Sequence, residues 1–217
     1  MSVFHYPKTK HTRFLSPRQF RMYRSYKRYL QTEFSRVCVY CRQPDSSAPS
    51  LIYHVDHYRP KSIAKFSHLS CTYSNLYYAC ANCNVRKSTD WPADESKGPY
   101  VVNPCDHEMM KHLRFDPTTG KVEALSNFGA HTETLLQLND DARVKYRLGT
   151  LKTIELYQRE ISELEMQSKK LKIKLRNNEV TQAQFDSAIQ DINADINLAK
   201  ETLQSHDGTL PIPPIKK

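Results

Sequence analysis

Between residues 38 and 87 this chain gathers four cysteines, an Asp-His pair, two asparagines and several cations at spacings that chemistry can use. Cys38 and Cys41 are two residues apart, and so are Cys80 and Cys83. Two intervening residues let one tight turn aim both thiolates at a single ion. Two such turns supply the four sulfurs of a closed structural zinc site. The gap between the knuckles is longer than in a plain zinc ribbon, so the staple must close over an inserted unit. Cys71 and Cys105 have no partner at that spacing and read as ordinary small side chains.

The inserted unit contains HVDHYRPK (54–61), Asn75 and CANCNVRK (80–87). Imidazole titrates near neutral pH, so His57 suits a general base that deprotonates water. A phosphodiester also needs its charge clamped and its leaving oxygen helped. Asp56 faces the other side of an extended segment from His57 and is suited to hold a hard cation. Asn84 would be the second protein oxygen, completing a magnesium or manganese site with waters and substrate phosphate. Asn75 is assigned no chemistry; it would fix the backbone of the loop that orients His57. His54 shares a strand face with Asp56, and two readings stay open for it: a further metal or phosphate contact, or a plain structural histidine. Arg59, Lys61, Arg86 and Lys87 are candidate phosphate contacts, with simple solvation as the alternative.

These side chains need elements to carry them. LIYHVDH (51–57) alternates like a strand, NLYYAC (75–80) is a second short strand, and NVRKST (84–89) can turn into a helix. Upstream, residues 17–36 read as a helix with a stripe of Phe20, Tyr23, Tyr26, Leu30 and Phe34, more often a core feature than a base-stacking surface. Residues 92–149 are loop-rich. Beyond them, Leu148, Leu151, Ile154, Ile161, Leu164, Leu171 and Leu175 form a heptad-like seam. Asn177-Asn178 interrupts it, Thr181 and Gln184 resemble a capping box, and a second stripe runs Phe185, Ile189, Ile192, Ile196, Ala199, Leu203. The pattern predicts an antiparallel helical hairpin.

The ordered set Asp56-His57, Asn75, Asn84 and Lys87, framed by the two knuckles, resembles the HNH endonucleases. That family carries an Asp-His pair near the end of its first strand, a mid-motif Asn, then His or Asn just after the second knuckle, with Lys three residues later. Asn84 at the third position makes this an HNN variant. The resemblance is close from Cys38 to Lys87. It extends loosely to NPCDH (103–107) and GAHTETLLQLN (129–139), which look like the segment following the motif in many bacterial members. It implies a small ββα-metal core with structural zinc, which with the N-terminal helix and C-terminal antiparallel helical hairpin read above makes an α+β chain. The corresponding divisions are a basic arm and helix (1–36), a zinc-stapled nuclease domain (37–142), the hairpin (143–205) and a disordered tail (206–217). The resemblance further implies nucleases of bacterial anti-phage systems, of the Septu type paired with an ATPase and its retron-linked relatives. A housekeeping, restriction-like or mobile-element nuclease is the alternative.

Composition bounds these readings. The formal charge is +9. Residues 1–36 hold nine Lys and Arg against the single Glu33, which suits a polyanionic partner: DNA by default, with RNA open. The hairpin has little net charge and reads as a docking arm for a protein such as an ATPase, or for self-association. No apolar run approaches a membrane span, and no signal peptide is visible, so a reducing cytoplasm is expected. There, cysteines serve as metal ligands more readily than as disulfides. A non-catalytic zinc module that binds nucleic acid or protein is the rival reading, and a scaffold acting through the hairpin is a third. The Asp56-His57 pair with Asn75 and Asn84 favours an enzyme, because a binding-only ribbon has no need of it.

Overall fold

The computed structural model describes residues 3–47, 51–212 and 214–215. Its centre is an antiparallel pair, β1 (Tyr53–His57) and β2 (Leu76–Cys80), followed directly by helix α2 (Ala81–Lys87). The register sets Tyr53 opposite Cys80, Val55 opposite Tyr78 and His57 opposite Leu76. Every side chain of β2 is buried. That explains why LYYAC reads as a continuous apolar run rather than an alternation. Cys80 ends β2 and begins α2, so the second knuckle sits at the strand–helix junction.

The N-terminal segment is more deeply involved than a basic arm would be. Val3, Phe4 and Tyr6 are buried in the common core. Only the end of the predicted helix forms: a 3-10 turn over Tyr23–Tyr26 leads into α1 (Lys27–Glu33). Residues 17–20 adopt no regular secondary structure, and the Phe20 N–H donates to the Tyr26 hydroxyl instead of to a helical carbonyl. Glu33 is 1 % exposed and accepts from Phe14 N, Leu15 N, Tyr73 Oη and the His11 ring. One carboxylate thus ties the N-terminal stretch to α1.

Residues 92–149 are less loop-like than their composition predicts. They contain a second hairpin, β3 (Leu113–Phe115) with β4 (Val122–Ala124), and helix α3 (Asn127–Leu136). Ser126 caps α3 by accepting from Gly129 N at 3.0 Å. Gly129 is required there, because a Cβ would lie 1.9 Å from the His112 carbonyl oxygen. Asn103, fully buried, accepts from Cys105 N, Asp106 N and the Tyr77 hydroxyl, pinning the NPCDH turn to β2.

The expected helix pair is present as α4 (Asp141–Arg176) and α5 (Gln182–Asp207). The Thr181 side chain accepts from Gln184 N, and the Gln184 side chain accepts from Thr181 N, a complete capping box. The start of α4 is anchored in the body: buried Arg147 donates to Gly120 O and Leu138 O at 2.7 and 2.6 Å. Further along, Met166 and Ile173 are about half exposed. Of the tail read as a disordered end, Pro213, Lys216 and Lys217 lie outside the described residues. Pro211 O accepts from Arg36. Among the described residues no helix is long and apolar enough to cross a membrane.

Candidate active site and metal centre

The four knuckle cysteines converge. Their sulfurs all lie within 4.8 Å of one another, with Cys41 and Cys80 at 3.7 Å, and all four residues are buried. Zinc–sulfur bonds of about 2.3 Å in a tetrahedron put the sulfurs ~3.8 Å apart, so the cluster is able to hold such an ion. The first turn is built by the backbone: Cys38 N donates to Gln43 O and Arg42 N to Cys38 O, with Arg42 at φ 62°. Val39 N donates to Tyr78 O, which docks the first knuckle on β2 beside the second. From α4, Arg143 donates to Cys83 Sγ at 3.5 Å. A guanidinium here offsets the net negative charge of four thiolates on a divalent ion, the outer-shell tuning common at metal sites.

Tyr40, between the first two cysteines, connects this cluster to β1. Its hydroxyl donates to Asp56 Oδ2 at 2.5 Å, and Lys87 Nζ from α2 donates to Asp56 Oδ1 at 3.2 Å. Lys87 also reaches His57 O at 2.8 Å, with its side chain only 1 % exposed. Two of the expectations change here. Lys87 is not at the surface to meet a phosphate, because its ammonium is enclosed between Asp56 and the His57 carbonyl. Asp56, 3 % exposed, already has an ammonium neutralising it and a hydroxyl on its other oxygen. Hard cations need open oxygen ligands. As they stand, these residues fit a buried ion pair and not a magnesium or manganese cage. Among the described residues the cysteine cluster is the one group of three or more His, Cys, Asp or Glu close enough to share a metal. His54 is exposed and stands apart from it.

His57 ends β1, half-buried. Its Nε2 lies 2.9 Å from Ser70 O. A carbonyl only accepts, so Nε2 carries the proton and the neutral ring presents its Nδ1 lone pair. Burial, assisted by the Lys61 charge, holds the imidazole below its ordinary pKa, against the opposing pull of the Ser70 hydrogen bond. The Tyr23 ring stands edge-to-face against the imidazole, with centroids 4.6 Å apart. Asn75 works on the adjoining backbone: its Oδ1 accepts from Arg59 N at 2.9 Å and its Nδ2 donates to Arg59 O at 3.1 Å. Asn84 lies on α2 one turn before Lys87, hence on the same helix face. Its side chain makes no hydrogen bond among the described residues.

The other basic candidates divide. Lys61 is exposed, with Nζ 4.2 Å from the Tyr23 ring centroid. Arg59 lies over Trp91 at 5.3 Å and faces Glu95 at 3.6 Å. Arg86 is used within the protein, on Leu136 O and Asp140. Spacing alone missed Tyr40, Ser70, Tyr23 and Arg143. Tyr40 carried a signal, as the one side chain inside the first knuckle able to donate a strong hydrogen bond; the others become neighbours only through tertiary packing.

Residues 38–90 match the family model described as HNH endonuclease. The match takes in the ββα unit and both knuckles, and leaves out the N-terminal segment and α3 to α5. No curated protein and no solved structure matches the chain.

Proposed function

We propose that this protein is an HNH endonuclease that hydrolyses phosphodiester bonds of nucleic acid, with His57 as general base. The observation that carries this reading is the tautomer set by Ser70 O. It leaves Nδ1 of a half-buried imidazole unprotonated at the end of β1, inside the segment that matches the family. In the reaction, a water oxygen attacks phosphorus while His57 Nδ1 takes its proton. The phosphorus–ester bond then breaks, and the departing alkoxide is protonated by solvent. Asn75 keeps the loop after His57 in place, and Lys87 holds Asp56 and the His57 carbonyl together across the strand–helix junction. Lys61 is the candidate phosphate contact that stands free at the site. The cysteine cluster would hold structural zinc, fixing the first knuckle against the junction of β2 and α2.

The divalent ion expected on Asp56 and Asn84 would require Asp56 to give up Lys87, so magnesium and manganese enter as arms of the assay. Supercoiled plasmid, linear duplex, single-stranded DNA and structured RNA are incubated with zinc-loaded protein in magnesium, in manganese and in EDTA. Cleavage of any of them that His57→Ala lacks supports the reading; identical products from both proteins reject it. The biological setting we favour is bacterial anti-phage defence, with the α4–α5 pair docking a partner such as an ATPase or a second copy. The half-exposed apolar residues along that pair support a docking role. A protein lacking residues 150–217 should keep zinc and some cleavage while losing assembly in a sizing experiment. The rival reading, a zinc module that binds without cutting, gives binding with no His57-dependent product.

A further inference from the structure

The 3-10 turn before α1 lies outside the segment that matches the family, yet it reaches His57. Tyr23 sets its ring against the imidazole with centroids 4.6 Å apart and planes 65° from parallel. Tyr23 is partly buried and packs against the edge of the core. A second constraint on the same imidazole is the Nε2 bond to Ser70 O. The two segments are also joined directly: Cys71, next to Ser70, donates its thiol to Arg21 O at 3.2 Å, two residues before Tyr23. His57 is therefore contacted by two segments that are also tied to each other. Two cations lie over the Tyr23 ring, Lys61 Nζ at 4.2 Å and the Arg24 guanidinium at 5.8 Å from its centroid. Neither forms an ion pair among the described residues, and both are exposed.

Resting on the nuclease reading, we infer that Tyr23 is a positioning residue for His57, and that Arg24 and Lys61 bind the nucleic-acid backbone beside the bond being cut. Edge-to-face packing restricts rotation of the imidazole. With Nε2 fixed as well, Nδ1 keeps one direction. A misplacement of about 1 Å in such a group costs on the order of 100-fold in rate. A cation over an aromatic face keeps its outward hydrogens for a phosphate, and each phosphate contact contributes about one released counterion.

The test compares full-length, zinc-loaded wild type with Tyr23→Ala, Tyr23→Leu, Tyr23→Phe, Lys61→Ala and Arg24→Ala, on a substrate that His57→Ala fails to cut. Zinc content and circular dichroism are followed for each. Tyr23→Ala and Tyr23→Leu should lower kcat roughly 10- to 100-fold with KM within about threefold, whereas Tyr23→Phe, which keeps the ring, stays near wild type. Lys61→Ala and Arg24→Ala should raise KM and each reduce the salt slope of binding by about one, with kcat little changed. Wild-type kcat in both Tyr23→Ala and Tyr23→Leu overturns the positioning role. So does a Tyr23→Phe loss as large as that of Tyr23→Ala, which would assign the work to the hydroxyl. Unchanged salt slopes overturn the backbone contacts. If wild type and His57→Ala already cleave alike, the nuclease reading itself fails, a result visible before any Tyr23 variant is compared.

Discussion

Replacing Lys87 with methionine asks how the strand–helix junction is held. The substitution keeps the chain length and apolar volume but removes the ammonium that neutralises Asp56. The two side chains are 1 % and 4 % exposed, with nitrogen and oxygen 3.2 Å apart. At an effective dielectric of ~20, charges at that distance attract by about 5 kcal/mol. Leaving one member of a buried pair uncompensated costs about 3–5 kcal/mol in measured cases. For a chain of this length each kcal/mol shifts Tm by ~2–4 °C, so Lys87→Met should lower it by roughly 6–20 °C. The double variant Asp56→Asn/Lys87→Met buries no charge and should recover at least half of that loss. Thermal unfolding of zinc-saturated protein, followed by circular dichroism with zinc content checked in parallel, gives both numbers. A single-variant loss under ~1 kcal/mol, or a double variant no more stable than Lys87→Met alone, would refute the buried pair.

Three further outcomes follow from the same geometry. Cys83→Ser should release zinc and unfold the region around both knuckles, since structural zinc contributes ~10 kcal/mol or more of folding free energy in small domains; a soluble, zinc-free, active protein would contradict the staple. Arg143→Ala, which removes the donor on Cys83 Sγ, should speed zinc loss to a chelator about 10- to 100-fold while the fold persists; an unchanged release rate would make that contact incidental. Because a general base works deprotonated and burial lowers the His57 pKa, the acidic limb of kcat/KM should lie below the ~6.5 of free imidazole. Activity is then retained above that limb and lost as pH falls through it; a limb above 6.5 would contradict the buried environment.

The ββα unit was legible because its information is local. Alternation wrote β1, an unbroken apolar run wrote the fully buried β2, and paired C-x2-C spacings placed the knuckles at one centre. The long helix pair was legible from its seam and its capping box. The N-terminal helix forms only over Tyr23–Glu33, because an aromatic stripe at helical spacing also arises when an irregular stretch packs Phe20 edge-on against Tyr26. The hairpin β3–β4 was missed because three-residue strands carry too little alternation to separate from loop. Glycine in the first turn of α3 disguised a helix whose glycine serves close packing against the His112 carbonyl. At the site, residue types indicated chemistry but not partners. Asp56 reads as an open metal ligand until Lys87, 31 residues later, is seen to return across the strand pair.

The most direct test of the account is cleavage by zinc-loaded wild type beside His57→Ala, with zinc content and thermal stability measured on the same preparations. Removing a general base costs about 100- to 10,000-fold in rate. His57→Ala should show a loss of that size, with its zinc retained and its fold intact. Equal cleavage by the two proteins, at matched purity and substrate, would contradict it.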